Sequence, residues 1–305
     1  MNRIRLQAYG KINLSLDVLR QRPNGYHDVR MIMQTVKLHD NIDMERSDTP
    51  GIVLKTNLPF LPVNENNLMY RAAKMLMDEF HLEGGVRMSL RKVIPVAAGM
   101  AGGSADAAAV LYGMNRLFDL RLSLEELKKR GVQLGADIPF CLMRGTALSE
   151  GIGEILTPLP ALPACSIVLA KPAISVSTKA VYENLHVNSL PAEAHPDVDA
   201  VIETLKARDV RAVAGRMGNI LETVTSRRHP EIEAIKERMM ELGALNAMMS
   251  GSGPTVFGIF DDPEKAQTCY QALLSAKESG LAKQVYLTEP WQQPSRTTPG
   301  RPARL

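Results

Sequence analysis

The chain has few cysteines and no long apolar run. Its three cysteines, Cys141, Cys165 and Cys269, are odd in number and lie far apart in a chain of 305 residues. Such a set fits neither a disulfide framework nor a zinc site, so reduced thiols in a cytoplasmic protein are expected. No apolar run approaches the roughly 20 residues that a membrane-spanning helix needs. The first residues also lack a signal-peptide pattern. The composition therefore predicts a cytoplasmic location without a membrane partner.

The chain also lacks a strong charge of one sign. It has 36 basic and 33 acidic residues, and three of the basic residues, Arg296, Arg301 and Arg304, lie in the last fifteen positions, which contain no acid. Without those three arginines, positions 1–290 are balanced in charge. A nucleic-acid-binding surface normally needs a basic excess, so no nucleic-acid partner is expected.

The length allows two domains, each with its own core. Pro158, Pro160 and Pro163 form the best candidate boundary, because clustered prolines interrupt regular structure. We therefore predict domains at 1–160 and 161–290. Residues 291–305 have no apolar period and are predicted to be a disordered tail.

A glycine-rich stretch, residues 95–105 with Gly99, Gly102 and Gly103, links a predicted strand to a predicted helix. Val86, Met88 and Leu90 alternate with polar residues, as in a half-buried strand, and a helical apolar period begins near Ser104. Glycines before a helix start allow an anion to approach unpaired N–H groups. The stretch lacks both the lysine of a P-loop and the G-x-G-x-x-G spacing. Taken alone, such a stretch is more often a tight turn than a phosphate loop.

Other local signals predict further elements. Asn67 and Ser123 are predicted to cap helices that end near Phe80 and Leu134. Pro139 disfavours helix at Ile138 and so predicts a constrained turn around Asp137. Helices are also expected from Ser177, at 197–207, 209–221 and 231–242, and from Asp262 to about Lys277. Strands are expected at 3–19 (one or two), 29–38, 41–44, 145–148, 166–170, 255–260 and 284–288.

Several polar residues stand in apolar or turn-like surroundings. Lys11 and Asn13 interrupt strand-like sequence, and Tyr26 and His27 follow the turn signal Pro23-Asn-Gly25. Each has an ordinary structural explanation: an outward-facing strand position for the lysine and asparagine, packing for the aromatic residues, and for Asp137 a turn that caps its own backbone. Taken together, however, the glycine loop at a helix start, Lys11, Asp137 and a second glycine loop at 251–253 are the parts that phosphoryl transfer requires.

Three stretches resemble the GHMP kinase superfamily, which includes galactokinase, homoserine kinase, mevalonate kinase and phosphomevalonate kinase. They are Lys11–Leu14, Ile94–Ala108 and Met249–Pro254. Three more resemble the branch that acts on a cytidyl-diphosphate methylerythritol in the methylerythritol phosphate route to isoprenoids. These are Arg22–His27, Gly135–Phe140 and Gly151–Glu154. The two sets follow the family order over residues 8–260.

The resemblance implies an α+β fold with two domains, a ribosomal-protein-S5-like N-terminal domain and a ferredoxin-like C-terminal domain. It implies ATP and Mg²⁺ as cofactors and transfer of the γ-phosphate to the 2-hydroxyl of the methylerythritol moiety. Asp137 would be the base, and Lys11 would stabilise both Asp137 and the transferring phosphoryl group. Ser104 would be the leading side-chain ligand for Mg²⁺. The ATP-binding residues would be Pro95, Val96, Ala97, Ala98, Gly99, Met100, Ala101, Gly102, Gly103, Ser104 and Ala105.

The resemblance also implies a substrate side. Tyr26 would stack on cytosine, His27 would hydrogen-bond its Watson–Crick edge, and Asn13 would hold the erythritol. The remaining candidates on this side are Thr178, Tyr182, Gly251, Ser252 and Gly253. For Thr178 and Tyr182, packing at a helix start is an equal alternative, and for the three loop residues the alternative is closing strand geometry.

The sequence departs from the family in the first glycine loop. The family usually has glycine where Ala97 and Ala101 stand, leucine at Met100 and a second serine at Ala105. The two alanines are expected to be tolerated if they avoid positive φ.

Three alternative functions stay open. One is another GHMP kinase of the homoserine or phosphomevalonate type, although Tyr26 and His27 disfavour it because a small substrate needs no stacking platform. The second is a non-catalytic nucleotide-binding paralogue, which would have no use for both Lys11 and Asp137. RNA binding through an S5-like domain is the third, and the charge balance disfavours it. No obligate protein partner is indicated.

Overall fold

The computed structural model describes residues 1–275 and 280–292. The predicted helix end near Lys277 and residues 293–305 of the predicted tail lie outside the described residues. Trp291 and Gln292, which the sequence placed in the disordered tail, are held by the body of the protein. The Trp291 N–H donates to Thr35 O at 2.8 Å, and Gln292 Nε2 donates to Leu162 O at 3.4 Å. The tail prediction is therefore wrong at these two positions.

Eleven strands form two sheets in the described part of the chain. The larger sheet has the order β3-β4-β2-β1-β8, and β5 pairs with both β2 and β6. The smaller sheet is antiparallel, with the order β11-β7-β10-β9. The strands are β1 (Arg3–Gln21), β2 (His27–Ser47), β3 (Gly51–Thr56), β4 (Gly85–Arg91), β5 (Thr146–Glu150), β6 (Ile155–Pro158), β7 (Ser166–Lys171), β8 (Gly218–Asn219), β9 (Asn246–Met249), β10 (Val256–Phe260) and β11 (Gln284–Thr288).

Ten α-helices pack on these sheets in the described residues. Asn67 and Ser123 cap α1 and α3 as predicted, and Ser123 forms a complete capping box with Glu126. The helices are α1 (Leu68–Glu79), α2 (Gly102–Leu117), α3 (Leu124–Leu134), α4 (Ile138–Met143), α5 (Thr178–Glu183), α6 (Val198–Lys206), α7 (Val210–Arg216), α8 (Glu222–Arg228), α9 (Pro230–Glu241) and α10 (Pro263–Ser275). None of these described helices is both long and apolar enough to cross a bilayer.

Three local predictions are corrected by tertiary pairing and helix-start geometry. The region 29–44 is one continuous strand, β2, and β1 runs unbroken because register shifts such as the one between Asn13 and Ser15 absorb the irregularities. Ile138 is helical, since Pro139 sits in the first turn of α4, where no N–H is needed. The predicted helix 209–221 ends at Arg216 because the next residues pair with β1.

The two halves share a core. Ile12 and Leu14 of β1 lie in one buried cluster with Phe257 and Ile259 of β10. The predicted boundary falls between β6 and β7, which belong to different sheets, but β8 from the second half extends the first sheet. The α+β class is confirmed, whereas the bounds 1–160 and 161–290 remain a prediction.

The loop before α2 is built on left-handed backbone. Gly99 has φ 75°, and a Cβ there would lie 1.9 Å from Ser250 O, so only glycine fits. Ala97 (φ 49°) and Ala101 (φ 53°) are also left-handed. The condition under which these alanines were expected to be tolerated is therefore not met, and each carries a conformational cost of roughly 1–2 kcal/mol.

We expect Ala101→Gly to raise the free energy of unfolding by about 0.5–1 kcal/mol, because glycine adopts this backbone without the Cβ penalty. The matched control is Ala98→Gly, at a buried position outside the left-handed region, where the same change should lower stability by about 1 kcal/mol. Urea unfolding of both variants measures the difference. Equal losses in the two variants would contradict the strain at Ala101.

Candidate active site

The start of α2 presents backbone N–H groups without a side-chain cap. The N-cap residue, Ala101, makes no side-chain hydrogen bond, and its carbonyl accepts from the Ala105 N–H at 2.8 Å. Gly103 is exposed, and Ser104 Oγ lies 3.9 Å from the position of a Cβ on Gly135. Uncapped N–H groups and the positive end of the helix dipole favour an anion here. The site therefore lies directly beside the turn that carries Asp137.

A buried ion network anchors the start of this loop. Lys92 Nζ donates to Asp40 Oδ2 and to Asp106 Oδ2, both at 2.6 Å, and all three side chains are buried. Asp40 Oδ1 accepts the Val93 and Ile94 N–H groups, where the loop begins. Burial raises the pKa of Asp106 well above its ordinary value, against the opposing charge of Lys92. The network ties the start of the loop to β2 and to α2.

The sequence reasoning did not single out this network. Its three members come from β2, the end of β4 and α2, so no spacing connects them. One signal was available: Asp106 interrupts a run of alanines and aliphatic residues in α2. A carboxylate inside such a run is buried only with a partner.

Lys11 and Asn13 lie together on β1 next to this loop. Lys11 is 5% exposed, and its Nζ donates to Asn13 Oδ1 at 2.6 Å. The Lys11 N–H donates to Met100 O at 3.1 Å, which joins β1 to the glycine loop. No ion pair joins Lys11 to Asp137 among the described residues, and the side-chain partner of the Lys11 ammonium is the Asn13 amide.

Asp137 is the N-cap residue of α4, but its side chain accepts no capping hydrogen bond. The self-capping explanation for this aspartate therefore does not apply. Burial is the main cause that raises the pKa of the Cys141 thiol. The charge of Asp137 raises this pKa further, and the charge of Lys11 lowers it. Both charged groups thus act on one thiol. Lys11 and Asp137 belong to the same electrostatic environment without touching.

His27 and Tyr182 form an aromatic pair near Asp137. The rings of His27 and Tyr182 have centroids 5.1 Å apart and an interplanar angle of 43°. Burial, and to a lesser degree the charge of Asp137, raises the pKa of Tyr182. Burial lowers the pKa of His27 and so favours the neutral form of its imidazole. Tyr182, a weaker candidate from sequence, links the turn at His27 to Asp137.

Tyr26, the residue before His27, is 60% exposed. We call the three residues Tyr26, His27 and Tyr182 the aromatic wall. The turn that carries Tyr26 is held by Asp28, whose carboxylate accepts from Arg20 Nε at 2.6 Å and from Arg22 Nε at 2.7 Å. Arg22 first, and then Arg20, lowers the pKa of Asp28 through these bonds. An exposed ring on a fixed turn is a suitable platform for a planar ligand. Asp28 was not singled out from the sequence.

The second glycine loop joins the two sides. Ser250 Oγ donates to Gly99 O at 2.9 Å, and Ser252 Oγ lies 2.8 Å from Thr178 Oγ1. A Cβ on Gly251 would lie 3.2 Å from Gly99 O and 3.5 Å from Asn13 Oδ1. The Gly253 N–H donates back to Ser250 O. The structure thus connects the first loop, β1 and α5 through residues 250–253.

The comparisons with known proteins agree with this arrangement. The family profile of the GHMP kinases N-terminal domain matches residues 67–145, and that of the GHMP kinases C-terminal region matches residues 201–279. A 4-diphosphocytidyl-2-C-methyl-D-erythritol kinase from Lachnospira eligens is 57% identical over 289 residues, which are 95% of this chain and 99% of that protein.

Solved structures show the same relationship. The crystal structure of a 4-(cytidine 5'-diphospho)-2C-methyl-D-erythritol kinase has 31% identity and a TM-score of 0.79, and the match covers 95% of this chain and 100% of that one. A homoserine kinase from Cytophaga hutchinsonii has a TM-score of 0.77 at 21% identity, covering 94% and 95%. The second match shows a shared fold alone. The chain therefore belongs to the GHMP kinases, and within them to the family of 4-diphosphocytidyl-2-C-methyl-D-erythritol kinases.

Proposed function

We propose that the chain transfers the γ-phosphate of ATP to the 2-hydroxyl of 4-diphosphocytidyl-2-C-methyl-D-erythritol, in the non-mevalonate isoprenoid pathway. One observation carries the proposal. Direct contacts join the uncapped start of α2, the strand of Lys11 and Asn13, and helix α5: the Lys11 N–H donates to Met100 O, a Cβ on Gly251 would lie within 3.5 Å of both Gly99 O and Asn13 Oδ1, and Ser252 Oγ lies 2.8 Å from Thr178 Oγ1. Groups joined in this way support a triphosphate, a reacting hydroxyl and a nucleobase at the same time. The cytoplasmic location stays a prediction.

The triphosphate belongs at residues 95–105. Gly103 is exposed there, and the neighbouring N–H groups at the start of α2 lack a capping side chain, as phosphate oxygens require. Ser104 Oγ would contribute the protein ligand to Mg²⁺, with the remaining ligands from phosphates and water. Bound Mg²⁺ neutralises charge that develops on the phosphate oxygens. A single hydroxyl fits Mg²⁺ better than a cation that needs a cage of carboxylates.

Asp137 is the proposed base. Its carboxylate is not used to cap α4 and can therefore accept the proton of the 2-hydroxyl. Lys11 is proposed to stabilise the transferring phosphoryl group. Its ammonium is aimed by Asn13 at 2.6 Å and joins no ion pair with Asp137, so its charge is available to a phosphate oxygen. Asn13 would then orient Lys11 as well as the erythritol.

The cytidine belongs against the aromatic wall. Neutral His27 can both donate to and accept from the Watson–Crick edge of cytosine. Tyr26 offers an exposed ring for stacking, and Thr178 presents its hydroxyl beside Ser252. A homoserine or phosphomevalonate kinase would have no use for this wall. A non-catalytic paralogue would have no use for Asp137, whose side chain does not cap α4, together with a buried lysine that is held by an amide.

The direct test is ADP release by the purified protein with ATP, Mg²⁺ and the cytidyl-diphosphate methylerythritol. We expect turnover with this substrate and none above background with homoserine, mevalonate or phosphomevalonate. Turnover with one of those three and not with the cytidyl compound would overturn the assignment. ATP binding without turnover on any of them would favour the non-catalytic paralogue.

Asp137→Asn and Lys11→Met should each lower kcat by about 10²–10⁴-fold, because one removes the base and the other a charge that acts on the phosphoryl group. Circular dichroism and thermal unfolding should show that both variants keep the fold. Steady-state kinetics with saturating ATP measures the effect. A kcat within about 3-fold of wild type for either variant would refute the role of that residue.

Tyr26→Ala should raise KM for the cytidyl substrate by about 10-fold, since loss of base stacking costs roughly 1–3 kcal/mol. KM for ATP should change little, because the ring lies on the turn of β1 and β2 and not on the glycine loop. Leu19→Ala, which also shortens an exposed apolar side chain near that turn, is the control. A rise in the KM for ATP alone would move Tyr26 to the nucleotide side.

A further inference from the structure

The loop 250–253 touches both halves of the site but has no regular structure of its own. It reaches the first glycine loop through Ser250 and helix α5 through Ser252. Its glycines, Gly251 (φ 58°) and Gly253 (φ 82°), adopt left-handed backbone. A segment of this kind keeps one position only when its carbonyl and N–H groups are held from outside. The hydrogen bonds that hold it therefore bear on catalysis.

Asn219 supplies two of those hydrogen bonds. Its Nδ2 donates to Met249 O at 2.9 Å and to Gly251 O at 2.8 Å, and its Oδ1 accepts the Leu221 N–H at 3.0 Å. Both amide hydrogens and the carbonyl oxygen are thus satisfied in a side chain that is 8% exposed. One carboxamide spans the end of β9 and the middle of the loop.

Asn219 is itself fixed to the strand that carries Lys11 and Asn13. It lies in β8, where it pairs with Leu16 of β1, and the next residue, Ile220, donates its N–H to Leu16 O at 3.0 Å. The loop from the smaller sheet is therefore positioned relative to the catalytic strand of the larger sheet. Gly251, whose carbonyl Asn219 binds, also lies beside Asn13 and Gly99, since a Cβ on it would be 3.5 Å from Asn13 Oδ1 and 3.2 Å from Gly99 O.

We propose that Asn219 is a positioning residue for phosphoryl transfer. By holding the Met249 and Gly251 carbonyls, it keeps Ser250 on the carbonyl of Gly99 and Ser252 on Thr178. The first glycine loop and helix α5, which carries Thr178 and Tyr182, are thereby kept in mutual alignment. This inference rests on the proposed function, but the hydrogen bonds themselves do not.

Two neighbours of Asn219 assist without replacing it. Glu222 Oε1 accepts the Met249 N–H at 2.6 Å, and Thr225 Oγ1 donates to Ser252 O at 3.4 Å. Glu222 holds the end of β9, and the long Thr225 bond is weak. Among the described residues, the hydrogen bond to the Gly251 carbonyl comes from Asn219 in β8, the strand that pairs with β1.

The test compares two asparagines with matched hydrogen bonding. Asn246, at the other end of β9, donates from Nδ2 to Ala214 O at 2.7 Å and accepts the Ala247 N–H at Oδ1. Asn219→Asp and Asn246→Asp each replace a donor with an acceptor that faces a carbonyl. Both should lower the melting temperature, whereas only Asn219→Asp should lower kcat, by about 10–100-fold, because small misplacements of reacting groups slow transfer strongly. The dissociation constant for ATP should change less than about 3-fold, well below the tenfold that 1.4 kcal/mol produces.

Asn219→Ala, which removes both donors without adding charge, is the second variant if Asn219→Asp does not fold. Amide hydrogen exchange at residues 97–101 and 250–253 gives a readout that does not depend on turnover. We expect faster exchange in the Asn219 variants and wild-type exchange in Asn246→Asp. Unchanged exchange, or a kcat equal to that of Asn246→Asp, would overturn the inference. Absence of turnover in the wild type would instead refute the proposed function, while exchange would still decide the role of Asn219.

Discussion

The site depends on the close approach of two glycine loops from different sheets. Gly99 lies so near to the Ser250 carbonyl that a Cβ would overlap it, and Ser250 Oγ donates to the Gly99 carbonyl. This contact brings the first glycine loop, which precedes α2, onto the loop that follows β9. A side chain at position 99 would separate them. Gly99 thus sets the distance between the two glycine loops, and the positions of the neighbouring polar groups depend on that distance.

Charge is distributed according to what each part of the site must do. Beneath the first glycine loop, Lys92 is paired with Asp40 and Asp106, so its charge serves to hold the structure. On β1, Lys11 donates to the neutral amide of Asn13, and the side chain of Asp137 makes no capping hydrogen bond. A buried ammonium with a carboxylate partner is stable and largely unavailable. An ammonium held by an asparagine keeps its charge for an incoming phosphate.

Much of the architecture was readable from local signals because those signals act over short distances. The caps at Asn67 and Ser123, the strand before the glycine loop and the helix after it follow from neighbours within a few residues. The predictions failed where a distant strand intervened. The helix expected at 209–221 is cut at Arg216 because Gly218 and Asn219 pair with β1, some 200 residues earlier in the chain.

The sequence by itself determined which chemical groups the protein has: two glycine loops, a lysine and an aspartate proposed for phosphoryl transfer, and an aromatic turn. Only the tertiary structure decided how they are held. It placed Ala97 and Ala101 in left-handed backbone, packed Tyr182 against His27, and supported the loops through Lys92 and Asn219. The physical reason is that residue types and short spacings express local preferences. Buried ion pairs and hydrogen bonds between loops form only after distant strands have met, and no spacing along the chain encodes them.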